Sequence, residues 1–182
     1  MINIYKLKLT NLQHEILRLL FIKADISLNA RAIAKSLEVS QPAVSKALPL
    51  LEKESIIKLK KDKDSKRLAI ELNRDNHHII WLKRADNFKQ LYESGLVQFL
   101  YDKFPGATII LFGSYAFGED THTSDIDLAI IGEQKKEIKF IRYEEILERK
   151  IIINYYDSFK KINKYLLNNI LNGIILKGAI DL

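Results

Sequence analysis

Two short clusters in the second half of the chain combine residue types that can handle a charged phosphate. Leu111-Phe112-Gly113-Ser114 ends an apolar run that starts at Ala107, and ten residues later Asp125-Ile126-Asp127 opens a second apolar run to Ile131. A Gly-Ser corner offers backbone N–H groups and a hydroxyl to an oxyanion. Residues two apart on a strand project from one face, roughly 6.6 Å apart. Asp125 and Asp127 would therefore aim at one point while Ile126 and Leu128 enter a core. Like charges converging at the edge of an apolar strand are costly unless a cation sits between them. Carboxylate oxygens are hard ligands that suit Mg2+ or Mn2+, and Mg2+ is usually shared with the phosphates of a nucleotide. Either cluster alone is also compatible with a solvated strand start or an ordinary turn; the pair, each preceded by apolar residues, points to metal-assisted nucleotide chemistry. Asp125 and Asp127 are the candidate metal ligands and catalytic carboxylates, Gly113 and Ser114 the candidate phosphate contacts.

The rest of the chain bounds what can position them. Its 182 residues, 47% hydrophobic and 29% charged, suffice for one large or two small domains with a proper core. The absence of cysteine excludes disulfides, thiolate metal sites and cysteine nucleophiles. His14, His77, His78 and His122 lack metal-ligand spacing; His77-His78 read as a solvated helix start, and His122 lies between the two clusters. No apolar run approaches the ~18–20 residues needed to cross a bilayer, and residues 1–10 lack a signal-peptide core. A soluble, cytoplasmic protein without a membrane partner is expected. Charge is uneven: residues 1–85 hold 17 Lys+Arg against 9 Asp+Glu, residues 86–182 hold 12 against 14. A basic module beside a near-neutral one suggests polyanion binding next to a catalytic or interaction domain.

The first half has helical periodicity. Leu12, Ile16, Leu19 and Leu20 mark a helix over 11–23, capped by Thr10 or Asn11, and a short helix follows over 30–37. Ser40 caps a third helix, with Pro42 in its first turn, that runs to about Glu54 and is expected to kink at Pro49. Val44, Leu48 and Leu51 face inward there, leaving Gln41, Ser45 and Lys46 outward. Residues 56–61 and 66–72, joined by a polar turn, read as a basic hairpin. The order is that of a winged helix-turn-helix.

Residues 76–104 read as connecting helices, one to about Ser94 and a second to Phe104, with Trp81 and Tyr92 as core or dimer anchors. Pro105-Gly106 opens the last domain, 105–182. Strands at 108–112, 126–131 and 151–156 alternate there with helices after Ser114, at 140–149 and at 158–172, before a final apolar segment at 174–177. The fold class expected is a two-domain chain of α+β and α/β parts: a winged helix-turn-helix over 1–75, the connecting helices, and a small mixed-sheet domain.

The run from Arg31 to Ile57, RAIAKSLEVSQPAVSKALPLLEKESII, resembles the recognition region of MarR-type winged-helix regulators. In that family the third helix enters the major groove of double-stranded DNA and the wing approaches the backbone or minor groove. The resemblance implies Ser40, Gln41, Ser45 and Lys46 as base or phosphate contacts, and Lys60, Lys61, Lys63, Lys66 and Arg67 as wing contacts. It also makes a homodimer on paired half-sites an expectation.

Gly-Ser, ten residues, then Asp-x-Asp, with its apolar flanks, resembles the signature of the DNA polymerase β-like nucleotidyltransferase superfamily, in particular its minimal nucleotidyltransferase branch. The resemblance spans 107–178 and implies that Gly113 and Ser114 hold the terminal phosphates of an NTP while Asp125 and Asp127 ligate Mg2+ or Mn2+. Family members usually place a third acid on a neighbouring strand in an apolar-acid-apolar context. The best match is Ile153-Asn154-Tyr155, which puts Asn154 in the acid's place; asparagine offers a carbonyl oxygen but takes no proton at neutral pH. Asp157 falls on the opposite face unless the strand bends. Phe117 stands where many relatives carry a basic residue. Related proteins act as antitoxins that adenylylate a HEPN-type toxin, so the resemblance implies such a partner or another hydroxyl acceptor. Two readings follow: a DNA-binding protein that transfers a nucleoside monophosphate to a protein or small-molecule hydroxyl, or a winged-helix transcriptional regulator whose altered nucleotidyltransferase domain binds nucleotide or a partner without catalysis.

Overall fold

The structure is a computed structural model that describes residues 8–61 and 68–181. The chain divides into two compact units, Met1–Ile79 and Ile80–Leu182.

In the first unit, helices α1 (Asn11–Ile22), α2 (Ala30–Ser36) and α3 (Gln41–Lys53) precede the hairpin strands β1 (Ile57–Lys61) and β2 (Leu68–Leu72). Each helix starts where a short polar side chain can accept from its first turn: Thr10 from the Gln13 N–H, Asn29 from Ala32 and Ser40 from Ala43. Gln13 completes a capping box and, itself buried, donates from Nε2 to the Ala47 carbonyl at 3.0 Å, tying α1 to α3. Leu28 pairs with Ile70 as an isolated bridge, adding a third short arm to the antiparallel β1–β2 ribbon. The core holds Ile16, Leu20, Ile33, Val44, Leu51, Ile56 and Ile70, each fully buried. α3 runs continuously through Pro49, whose ring lies on its exposed side. The expected start of the second hairpin strand, residues 66 and 67, lies outside the described residues.

The second unit takes most of the segment read as a connector. Helix α4 (His77–Glu93) and α5 (Leu96–Lys103), joined at Gly95 with φ +79°, send Leu91, Leu96, Val97, Leu100 and Phe104 into a core against the sheet. Trp81 and Tyr92 are exposed at 61% and 50%, so neither is a core anchor. The sheet comprises β3 (Thr108–Phe112), β4 (Ile126–Ile131), β5 (Ile151–Tyr156) and β6 (Ile174–Lys177) in the order β5-β4-β3-β6, with β4–β5 parallel and the other pairs antiparallel. Its inner strands are near-continuous apolar runs because both faces are covered. Ile109, Leu111, Ile126, Leu128 and Ile130 pack on one side with α4 and α5 residues. Ile110, Phe112, Ala129 and Ile131 pack on the other with Phe159, Ile162 and Ile170.

Between strands lie α6 (Gly113–Phe117), α7 (Ile141–Leu147), a 3-10 turn (Phe159–Lys161) and α8 (Lys164–Leu171). The helix expected over 158–172 is divided because the Asn163 side chain accepts from the Tyr165 N–H at 3.0 Å and starts a new helix there. The helix expected over 140–149 stops at Leu147, where Glu148 turns left-handed. Among the described residues, no helix is long and apolar enough to cross a membrane.

Candidate functional site

The antiparallel register of β3 and β4 sets Phe112 opposite Asp127, so the corner that follows Phe112 lands beside that carboxylate. Gly113 adopts φ +75°, and a Cβ there would lie 2.6 Å from Asp127 Oδ2. A side chain there would be strained by the backbone angle and would push the Asp127 carboxylate aside. Gly113, Ser114, Asp125 and Asp127 are thus gathered at one end of the sheet. Asp125 and Asp127 are half-buried, and neither carboxylate is engaged by a hydrogen bond or ion pair among the described residues. Burial, and then the negative charge of Asp125, hold the Asp127 carboxyl above its usual range. Two hard oxygen donors beside a Gly-Ser corner fit Mg2+, which takes one or two carboxylates and completes its shell with water and substrate phosphates.

A buried polar cluster, not recognised in the sequence, fixes the loop between the two motifs. Asp120 is 1% exposed and receives Lys83 Nζ, Asn87 Nδ2 (2.7 Å) and Arg149 Nη2 (3.2 Å). Asn87 also donates to the Tyr115 carbonyl, and Tyr115 Oη donates back to the Asn87 carbonyl. The cluster therefore links α4, α6, the motif loop and the entry to β5. Its signal in the sequence is the spacing Ile79, Lys83, Asn87, Leu91, which puts two polar residues on the apolar stripe of a helix. Nearer the carboxylates, the Ser124 Oγ accepts from the Thr121 N–H at 2.9 Å and shapes the turn that delivers Asp125.

The flanking strand departs from the expected pattern. In the parallel β4–β5 register, Asp127 stands level with Ile152 and Ala129 with Asn154. Asn154 is on the face of Asp127 but two residues farther from the Gly-Ser corner; Ile152 holds the position beside the carboxylate. Asp157 lies past the end of β5, exposed, and pairs with Lys161. Phe117 has the Arg84 guanidinium 5.7 Å from its ring centroid. A cleft of about 780 Å3 opens beside Asp125, lined in part by His122, Glu144, Glu148, Lys150 and Ile152.

On the first unit, Gln41, Ser45 and Lys46 lie exposed on α3. Ser40 is exposed, and its Oγ accepts from the Ala43 N–H at 3.3 Å, leaving its proton and one lone pair for a ligand. Lys60 pairs with Glu71 at 2.7 Å and Lys61 is exposed; Lys63, Lys66 and Arg67 lie outside the described residues. A concavity of about 490 Å3 between α3 and the hairpin is lined by Arg31, Gln41, Ser45 and Leu59 among others.

Residues 9–68 match the MarR family, and residues 93–176 match the nucleotidyltransferase domain family. A Methanocaldococcus jannaschii protein named as a putative protein adenylyltransferase is 43% identical over 49 residues, 27% of this chain and 49% of that one. This chain thus spans about half the length of that curated relative. Among solved structures, the Staphylococcus aureus regulator MepR is 27% identical over 53% of this chain and 69% of that one, with a TM-score of 0.42. The Streptococcus pyogenes adhesin competence repressor AdcR is 28% identical over 56% and 71%, with a TM-score of 0.41. The family matches and the strand and helix order agree: the chain joins a MarR-family winged-helix domain to a nucleotidyltransferase domain.

Proposed function

We propose that this chain is a DNA-binding transcriptional regulator whose nucleotidyltransferase domain holds a nucleoside triphosphate with a divalent metal ion. The observation that carries the reading is the meeting of the Gly113 corner with Asp127, which supports phosphate donors and metal ligands acting at one point. Asp125 and Asp127 would hold Mg2+ or Mn2+, and Gly113 and Ser114 the outer phosphates. Such an ion supplies neutralisation of phosphate charge. In the first unit, Gln41, Ser45 and Lys46 enter the major groove, and the wing lysines approach the backbone. A homodimer on paired half-sites, working in the cytoplasm, completes the proposal.

A second reading is transfer: an acceptor hydroxyl oxygen attacks the α-phosphorus, the bond from that phosphorus to the β-phosphate oxygen breaks, and pyrophosphate leaves. The identity shared with a protein named as an adenylyltransferase favours it. The acceptor would then be a protein hydroxyl, such as one on a HEPN-type toxin. Both readings are tested with α-labelled ATP, CTP, GTP and UTP and Mg2+ or Mn2+, in the wild type and in Asp125→Ala/Asp127→Ala. Metal-dependent binding lost in the double variant, without covalent label in lysate, supports the regulator. Covalent label lost in the double variant supports transfer.

A further inference from the structure

We infer that Ile152 limits the carboxylate site to one divalent ion, so that the domain binds nucleotide without activating an acceptor hydroxyl. The inference rests on the metal–nucleotide reading of Asp125 and Asp127 and deepens it.

Sheet geometry identifies the position. Level neighbours on adjacent strands stand about 4.8 Å apart, whereas a residue two positions farther along is about 8 Å away on the diagonal. Paired catalytic ions lie roughly 3.5–4 Å apart. An ion held jointly by Asp125 and Asp127 lies between them, so a third carboxylate reaches it best from a residue level with Asp127 and not from one shifted away from Asp125. The sheet provides two, Phe112 on β3 and Ile152 on β5, and both are apolar. Asn154, level with Ala129, is two residues too far along.

The other carboxylates that line the cleft beside Asp125, Glu144, Glu145 and Glu148, come from α7 and its C-terminal end and not from a strand beside Asp127. Glu144 Oε1 accepts from the Ile151 N–H at 3.0 Å, which ties that carboxylate to the β5 backbone. Lys150, two residues before Ile152, lines the same cleft as Asp125 and adds no oxygen ligand from its side chain. Among the described residues, no three His, Asp or Glu side chains gather as a metal cage. Ile152 is also 41% exposed, so its apolar side chain is not there to complete the core. The consequence is chemical. As an acceptor oxygen bonds to the α-phosphorus and pyrophosphate departs, the hydroxyl proton must go to a base, and no carboxylate stands level with Asp127 to hold an ion that acidifies that hydroxyl.

The test is Mn2+ binding by the full chain with a saturating non-transferable analogue, α,β-methylene ATP, read from the electron paramagnetic resonance of free Mn2+. The expected result is one nucleotide-dependent ion per wild-type chain, two for Ile152→Asp, and one for Asn154→Asp. Ile152→Glu serves as a second variant with a longer reach, and circular dichroism reports folding of each. Label transfer from α-labelled ATP into lysate should rise about a hundredfold in Ile152→Asp. Two ions in the wild type, a second ion gained by Asn154→Asp alone, or none gained by either folded Ile152 variant overturns the inference while leaving nucleotide binding intact. A wild type that takes up no nucleotide-dependent Mn2+ overturns the metal–nucleotide reading itself, and this inference with it.

Discussion

Both units carry solvated ion pairs, but among the described residues it is the second that also buries some. In the winged helix, the described ion pairs sit at the surface: Lys58 with Asp75 and Lys60 with Glu71 are both solvated, and the groups that would meet DNA line an open helix face. In the nucleotidyltransferase domain, Lys83, Asp120 and Arg149 are at most 5% exposed, and two like-charged carboxylates converge at the end of the sheet. A surface reader draws on many weak, separable contacts, so losing one changes little. A site that gathers like charges needs a rigid frame, and here that frame is itself ionic and buried, which makes it intolerant of single losses.

The largest expected effect tests that contrast directly. Asp120→Ala leaves Lys83 and Arg149 buried without their shared carboxylate and should cost about 3–5 kcal/mol in chemical denaturation. Lys60→Ala, which breaks an exposed pair in the other unit, should cost less than about 1 kcal/mol. Equal costs would erase the distinction between the units. Next in size, Lys46→Ala should weaken duplex binding similarly for all sequences and reduce the salt slope of log K by about 1, whereas Gln41→Ala should relax preference at particular base pairs at a cost of about 1–3 kcal/mol. A salt slope that neither variant changes would remove α3 from the DNA interface.

The smallest effect is a pH dependence. Burial and Asp125 raise the Asp127 carboxyl above its unfolded value, so the fold disfavours the ionised form. Stability is then fully present below the ordinary carboxylate range and declines as pH rises through the raised value. Asp127→Asn should therefore raise the melting temperature of metal-free protein at pH 7, and the gain should vanish at low pH. Mg2+ should reverse the order at pH 7 by stabilising only the wild type. A variant less stable than the wild type without metal would show that Asp127 has a structural partner.

What was legible in the sequence follows the same division. The winged helix could be read because its caps Thr10, Asn29 and Ser40 and its apolar periodicity are local signals, each expressed within one turn of helix. Gly113, Ser114, Asp125 and Asp127 could be read because their residue types are constrained by chemistry. Three features depend on register or on distant partners and could not. Asn154 matched an apolar-acid-apolar pattern, yet only strand pairing shows that Ile152 stands level with Asp127. The Asp120 cluster joins residues from α4, the motif loop and the β5 entry, which no local spacing connects. The long helix expected over 158–172 overlooked Asn163, whose side chain competes with the helix for backbone N–H groups.

The central claim is that the Gly113 corner and the two aspartates form a metal–nucleotide site, and isothermal titration of the full chain with ATP in Mg2+ and in EDTA tests it most directly. The account predicts binding that requires Mg2+ and disappears in folded Asp125→Ala/Asp127→Ala. Binding that persists in EDTA or in that variant, or no binding of any of the four triphosphates, would contradict it.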